Sequence, residues 1–275
     1  MAIPLQEHIV YGPVRSRRLG CSLGVNVLPL GLKVCNLNCA YCQYGWTRGQ
    51  RRKGRPTPWP TPAQIASAVA ARLRRAERDN EALDRLTVAG HGEPTLHPDF
   101  EDIVERLVDI RDRLAPKLRL AILSNSTTAA WPGVRRALGA FDERYMKLDA
   151  GDPITYAHMN GLGTSIGVIV DALRDLPRIV VQAMFVKDTA GQVDNTTEGA
   201  VREWLGAIDA IQPSRGHIYT LDRPAALEGL RPVPVRRLRE IAERVRLREI
   251  PVDVFAPNTP DPRRRRRHAA PRAST

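Results

Sequence analysis

Two apolar rhythms alternate along this chain, and that alternation limits the fold more than any other feature. Short aliphatic or β-branched runs occupy positions 25–30, 86–89, 118–123, 144–148, 179–186, 218–221 and 252–255. Between them, apolar residues recur at helical spacing: Ile65, Val69 and Leu73; Phe100, Ile103, Val104, Leu107 and Ile110; then 134–138, 166–173, Val201 with Trp204, Leu205 and Ile208, and 235–245. Thr61-Pro62 supplies a cap and a first-turn proline for the first of these helices. Strand and helix in strict succession predict parallel strands joined by right-handed crossovers. Six such units predict an α/β fold of partial TIM-type, (β/α)6, architecture. A doubly wound open sheet has the same periodicity and remains open. In either arrangement reacting groups gather at the C-terminal ends of the strands. The expected organisation is an irregular lead-in over 1–23, with Gly12-Pro13 as a turn, one domain over 24–256, and a basic, disordered tail over 257–275.

The chain has 275 residues and four cysteines, Cys21, Cys35, Cys39 and Cys42, all within 22 positions. A disulfide framework staples distant segments of small secreted domains, and this clustering does the opposite. It predicts a metal site in a reducing, cytoplasmic setting. No run of 18 apolar residues exists and the first residues lack a basic head and an apolar stretch, so neither a membrane span nor a secretory signal is expected. Cys35, Cys39 and Cys42 form a C-x3-C-x2-C triplet just after the first apolar run. Thiolates are soft ligands for iron–sulfur clusters and zinc. Three close cysteines hold three corners of a four-iron cluster and leave one iron open to an exogenous ligand. A zinc site with Cys21 as fourth ligand is the structural alternative.

The net charge is +12, but it is concentrated. Segments 48–55 and 261–275 each carry +5, leaving +2 for everything else. A basic loop directly after the cysteines suits an RNA or phosphate-bearing substrate. It is equally consistent with a solvated loop in an arginine-rich chain.

The triplet, with Tyr41 before its last cysteine, resembles the signature of the radical SAM enzymes. That resemblance implies a [4Fe-4S] cluster on Cys35, Cys39 and Cys42, with S-adenosylmethionine (SAM) bound at the open iron. It also implies reductive cleavage of SAM to a 5′-deoxyadenosyl radical that takes hydrogen from a substrate. Three further segments resemble the family's SAM contacts. Gly92-Glu93-Pro94, after His91, matches its "GEP" segment. Ser124 and Asn125 end the third strand. Lys147 and Asp149 end the fourth and offer a cation for the SAM carboxylate and an acceptor for a ribose hydroxyl. The same side chains also admit plainer readings: Glu93 as a helix-start acid, Ser124 and Asn125 as turn residues, Lys147 and Asp149 as an ion pair. Met184 and the histidines, His91 among them, are read as packed or satisfied residues.

Tyr11 to Gly20, Lys147 to Asp152 and Tyr219 to Pro224 together resemble the wyosine-synthetase-like branch, whose best-known members modify a guanosine of transfer RNA. The additional cysteines of wyosine synthetase itself are missing, which implies a single cluster. An external one-electron reductant of flavodoxin or ferredoxin type is implied as well. A nucleotide or RNA base is the expected substrate. The rivals are a glycyl-radical activating-type enzyme, a non-catalytic metal-stabilised RNA-binding protein and an electron-transfer iron–sulfur protein.

Overall fold

A computed structural model of the protein describes residues 2–47, 58–161 and 163–257. The basic segment 48–55 and the tail 261–275 lie outside the described residues. In chain order the elements are β1 (Val10–Ser16), β2 (Gly20–Val25), α1 (Pro62–Arg78), β3 (Arg85–Val88), α2 (Phe100–Leu114), β4 (Arg119–Ser124), α3 (Pro132–Gly139) and β5 (Glu143–Lys147). Then follow α4 (Pro153–Asn160), α5 (Ile166–Arg174), β6 (Ile179–Met184), β7 (Val186–Asp188), α6 (Glu198–Ile211), β8 (Arg215–Tyr219), β9 (Leu230–Pro232), α7 (Val235–Arg246) and β10 (Val252–Phe255). An eight-stranded sheet runs β1-β2-β3-β4-β5-β6-β8-β10. All neighbours from β2 onward are parallel, and only β1 is antiparallel. This is the expected partial barrel of six strand–helix units with a closing strand. β7 and β9 form a separate ribbon.

Strand alternation gives the sheet two different faces. Leu86, Val88, Leu120, Ile122, Met146, Val181, Ala183 and Ile218 point outward and meet the helices in the main core. Ala121 and Tyr145 point inward and pack with Leu19. The inner floor is polar: Arg85 clasps Glu143 through Nε at 2.5 Å and Nη2 at 2.8 Å, and Tyr145 donates to the same carboxylate at 2.9 Å.

Two expectations need correction. The lead-in is not irregular: Val10–Ser16 and Gly20–Val25 form an antiparallel pair, and the boundary placed at 23/24 falls inside β2. β1 escaped notice because it is an edge strand whose residues are mostly exposed, so it shows no apolar alternation. The first apolar run, 25–30, is not a strand beyond Val25. The Asn26 side chain donates to the Leu28 carbonyl at 3.2 Å and accepts from the Leu28 N–H at 3.3 Å, closing a turn. Val27 and Leu28 are fully buried in that turn, which is why the segment is apolar.

The Thr61 cap is confirmed, with a reciprocal bond from the Thr61 N–H to Gln64. Thr61→Ala is expected to cost ~1 kcal/mol in urea unfolding, and Thr61→Ser close to nothing. Burial works to raise the pKa of Glu143, but Arg85, Tyr145 and Arg119 outweigh it and hold the carboxyl below its usual range. A depressed folded-state value stabilises above the unfolded pKa and is lost as pH falls through the folded one. Urea unfolding should therefore show stability dropping on acidification through the carboxylate range, with a shallower drop in Glu143→Gln.

Candidate functional site

The site is built where the parallel strands end. The cysteine loop leaves β2 and lies against the segment after β3. Gly92 is required there, because a Cβ would run into the Val34 carbonyl. The Glu93 N–H donates to that same carbonyl at 2.9 Å. Pro94 opens the short 3-10 turn Pro94–Leu96. The loop's other side is held by α4, whose last carbonyls accept from the loop backbone: Asn38 N–H to Asn160 and Ala40 N–H to Met159, both 2.9 Å. Gly161, at φ +80°, ends that helix where Asn38 approaches.

Each of the three triplet sulfurs has a nitrogen donor from a different segment. Asn125 Nδ2 lies 3.6 Å from Cys35, Asn160 Nδ2 3.3 Å from Cys39, and Lys33 Nζ 3.2 Å from Cys42. Burial pushes the Cys35 thiol up to about 12. Burial also raises Cys39, against the Asn160 hydrogen bond. Donors aimed at sulfur favour the thiolate that a metal requires. Soft, close-spaced and partly buried, this donor set fits an iron–sulfur cluster. Cys21 stands apart on β2, its N–H bonded to Asp84.

Glu93 is a hub. It is 1% exposed, and its carboxylate accepts from Thr95 Oγ1 at 2.6 Å, Ser124 Oγ at 3.0 Å and the Asn125 N–H at 2.6 Å. Burial pushes its pKa up against these bonds. Glu93 thus fixes the loop after β4, in which Ser126 adopts φ +74° and donates to the Lys147 carbonyl. Asn125 in turn donates to Asn36 at 2.9 Å, tying that loop to the cysteines.

Lys147 and Asp149 form the ion pair, 2.9 Å apart, with Asp149 almost wholly buried. Asp149 also accepts from the Tyr41 hydroxyl, from Asn160 at 3.0 Å and from the Met184 N–H at 2.8 Å. Lys147 donates to the Tyr219 hydroxyl at 2.8 Å and lies 4.4 Å from the centre of the Tyr41 ring. Burial would depress the lysine, but Asp149 and Tyr219 outweigh it and lift it to about 12. Tyr41, Glu93, Ser124, Asn125, Lys147 and Asp149 are therefore brought together around the cysteine loop.

His91 is satisfied, as expected: Nδ1 accepts from the Gln6 N–H and Nε2 donates to Pro29, each at 3.0 Å. The sequence reading missed α4 with Asn160, and Lys33. Asp152-Pro153, a cap followed by a first-turn proline, was the available signal for α4; the Asp152 side chain does accept from the Thr155 N–H. Replacing Asp149 by Asn should leave Lys147 without its carboxylate and cost about 3 kcal/mol in urea unfolding, with part recovered in Lys147→Met/Asp149→Asn.

Comparison with known proteins agrees with this geometry. The Radical SAM superfamily model matches residues 32–191. A UPF0026 protein of Synechocystis sp. is 30% identical over 227 residues, 80% of this chain and 77% of that one. A UPF0026 protein of Methanocaldococcus jannaschii is 28% identical over 242 residues, 85% of this chain and 70% of that one. Among solved structures, a radical SAM methyltransferase from Sphaerobacter thermophilus superposes with TM-score 0.61 at 17% identity, over 86% of this chain and 67% of that one, a likeness of fold. With the family match spanning the cysteine loop, Glu93, Asn125, Lys147 and Asp149, the chain belongs to the radical SAM superfamily and to its UPF0026 relatives.

Proposed function

We propose that this protein is a single-cluster radical SAM enzyme acting on a nucleotide or RNA base. The observation that carries the reading is the meeting of Cys35, Cys39 and Cys42 with Glu93, Asn125, Lys147 and Asp149 at the C-terminal ends of parallel strands. A [4Fe-4S] cluster and SAM, when bound, supply a 5′-deoxyadenosyl radical. The protein's own part is position and exclusion of water. Cys35, Cys39 and Cys42 hold the cluster. Asn125, Asn160 and Lys33 orient the sulfurs and offset their charge. Gly92, Glu93 and Pro94, with Ser124 and Asn125, form one wall of the SAM site. Lys147 and Asp149 form the other: the ammonium, bonded to Asp149 and Tyr219, keeps one N–H for a carboxylate, while the expected role of Asp149 as acceptor for a ribose hydroxyl gives way to holding that lysine, because its oxygens are already filled by Tyr41, Asn160, the Met184 N–H and Lys147. Tyr41, stacked under Lys147, keeps that cation in place.

The resemblance of Tyr11 to Gly20 and Tyr219 to Pro224 to the wyosine-synthetase-like branch favours the nucleotide substrate. The chain's concentrated positive charge favours it too. The electron would come from a flavodoxin- or ferredoxin-type donor in the cytoplasm. No helix among the described residues is long and apolar enough to cross a membrane.

The test is anaerobic reconstitution with iron and sulfide, then dithionite and SAM, with 5′-deoxyadenosine followed by chromatography. The wild type should form it, and single Cys→Ala changes at 35, 39 or 42 should bring it to background. Bound zinc without a cluster would overturn the reading in favour of a structural metal. Asn160→Leu, which removes the donor to Cys39 yet spares every cysteine, should load iron but lower the yield about tenfold or more, the cost of an outer-shell contact.

A further inference from the structure

The inner face of the barrel carries polar groups that the SAM-side contacts leave unused. Lys147, Gln182, His217 and Asp253 are register partners in a row across β5, β6, β8 and β10. Their sequence neighbours Val181 and Ile218 pack outward into the main core, so Gln182 and His217 face inward. Both are buried, at 3% and 5% exposure. Gln182 Nε2 and His217 Nδ1 have no hydrogen-bond partner among the described residues. Burial, helped by the nearby Arg18 and Arg215 charges and opposed by Asp253, lowers the His217 pKa to about 3, so its ring is neutral. A buried polar atom left unpaired destabilises the fold, and two side by side call for an explanation.

Arg18 reaches the same face. The turn between β1 and β2 folds inward, where Leu19 packs against Ala121 and Tyr145. Arg85 donates to the Leu19 carbonyl at 2.5 Å. Arg17 fastens the turn by donating to the Ala256 carbonyl at 2.5 Å and to Asp222 at 2.6 Å. The Arg18 guanidinium then lies over the Tyr219 ring, 4.3 Å from its centre. Arg17 is neutralised by Asp222 and Lys147 by Asp149. No carboxylate among the described residues lies within ion-pair distance of Arg18. A guanidinium that stands over an aromatic ring with no carboxylate to neutralise it has donors to offer an oxyanion, and its fork suits bidentate binding.

We propose that Arg18, with the His217 ring and its register neighbour Gln182 on the same inner face, is the substrate subsite, and that it binds a carboxylate or phosphate group of the substrate. The proposal rests on the radical SAM reading, since that chemistry places a substrate inside the barrel near the cofactor. It assigns a role to Arg18 of the Tyr11–Gly20 segment, which the cluster and SAM do not need.

The test is equilibrium dialysis of radiolabelled inorganic phosphate and, separately, radiolabelled acetate against protein treated with iron, sulfide and SAM, without reductant. The wild type should retain at least one anion. Arg18→Gln should weaken that retention about tenfold or more, the usual loss of a charge-assisted bond. Gln182→Leu should weaken it as well and raise the thermal midpoint, because an unpaired buried donor is gone; a merely structural glutamine would lower it. Arg236→Gln, an exposed arginine paired with Glu240, should match the wild type. Retention of phosphate alone supports the subsite for a phosphorylated substrate, and acetate alone for a carboxylate-bearing one. Retention of neither anion, or equal retention by Arg18→Gln, overturns the proposal. If Arg18→Gln does not fold, unchanged retention by folded Gln182→Leu does the same. Dialysis does not depend on SAM turnover, so a missing 5′-deoxyadenosine signal would count against the proposed function and not against the anion subsite.

Discussion

One buried carboxylate ties the site together. Asp149 receives the Tyr41 hydroxyl from the cysteine loop, Asn160 from the end of α4, the Met184 N–H from the end of β6 and Lys147 from its own strand end. Its backbone carbonyl accepts from Asn195 at 2.9 Å. A charge removed from water is stabilised only when its lone pairs are filled by well-placed donors. Here each donor comes from a different segment, so the condition for burying Asp149 is that all of those segments arrive together. Lys147 then passes the constraint on, through Tyr219, to β8 and to the Arg18 that covers that ring.

Glu93 does the same work on the opposite wall with neutral donors. Asp149 is matched by a cation, whereas Glu93 is surrounded by hydroxyls and an N–H. Burial therefore acts on Glu93 largely unopposed by charge and drives its pKa up. The two walls thus differ electrostatically. One offers a lysine whose proton is held tightly, the other a carboxylate drawn toward neutrality.

Much of this was legible in the sequence because it is local or periodic. Five of the six strand–helix units follow from apolar spacing, the Thr61 cap from a dipeptide, and the soft-ligand site from three cysteines in eight positions. The strand ends bearing Glu93, Ser124, Asn125, Lys147 and Asp149 could be lined up because parallel strands all end on one side. What could not be read is long-range or lacks a rhythm. Asn160 reaches Cys39 across 121 positions. α4 has eight residues and an exposed Ile154, so it presents no clear apolar stripe. β1 looks like a loop because edge strands are polar and Gly12, at φ +98°, interrupts its pairing. Arg18 carries no local sign that its turn folds into the barrel; only the sum of Leu19 burial and the Arg17 and Arg85 contacts puts it there.

The cysteine loop is held by contacts beyond those at its sulfurs. Its backbone is held by the α4 carbonyls and by Val34 against Glu93, and its side chains by Asn36 to Thr127 at 2.7 Å and Asn38 to the Thr47 N–H at 2.6 Å. None of these bonds involves a thiol. Burial pushes the Cys35 and Cys39 thiols up, and ligation requires thiolates, so a cluster would be held with loss of those protons. The polar scaffold around Cys35, Cys39 and Cys42 therefore ties the loop to three separate parts of the barrel, the segment after β3, the loop after β4 and the end of α4, so that the sulfurs are positioned by the same strand ends that carry Glu93 and Asn125.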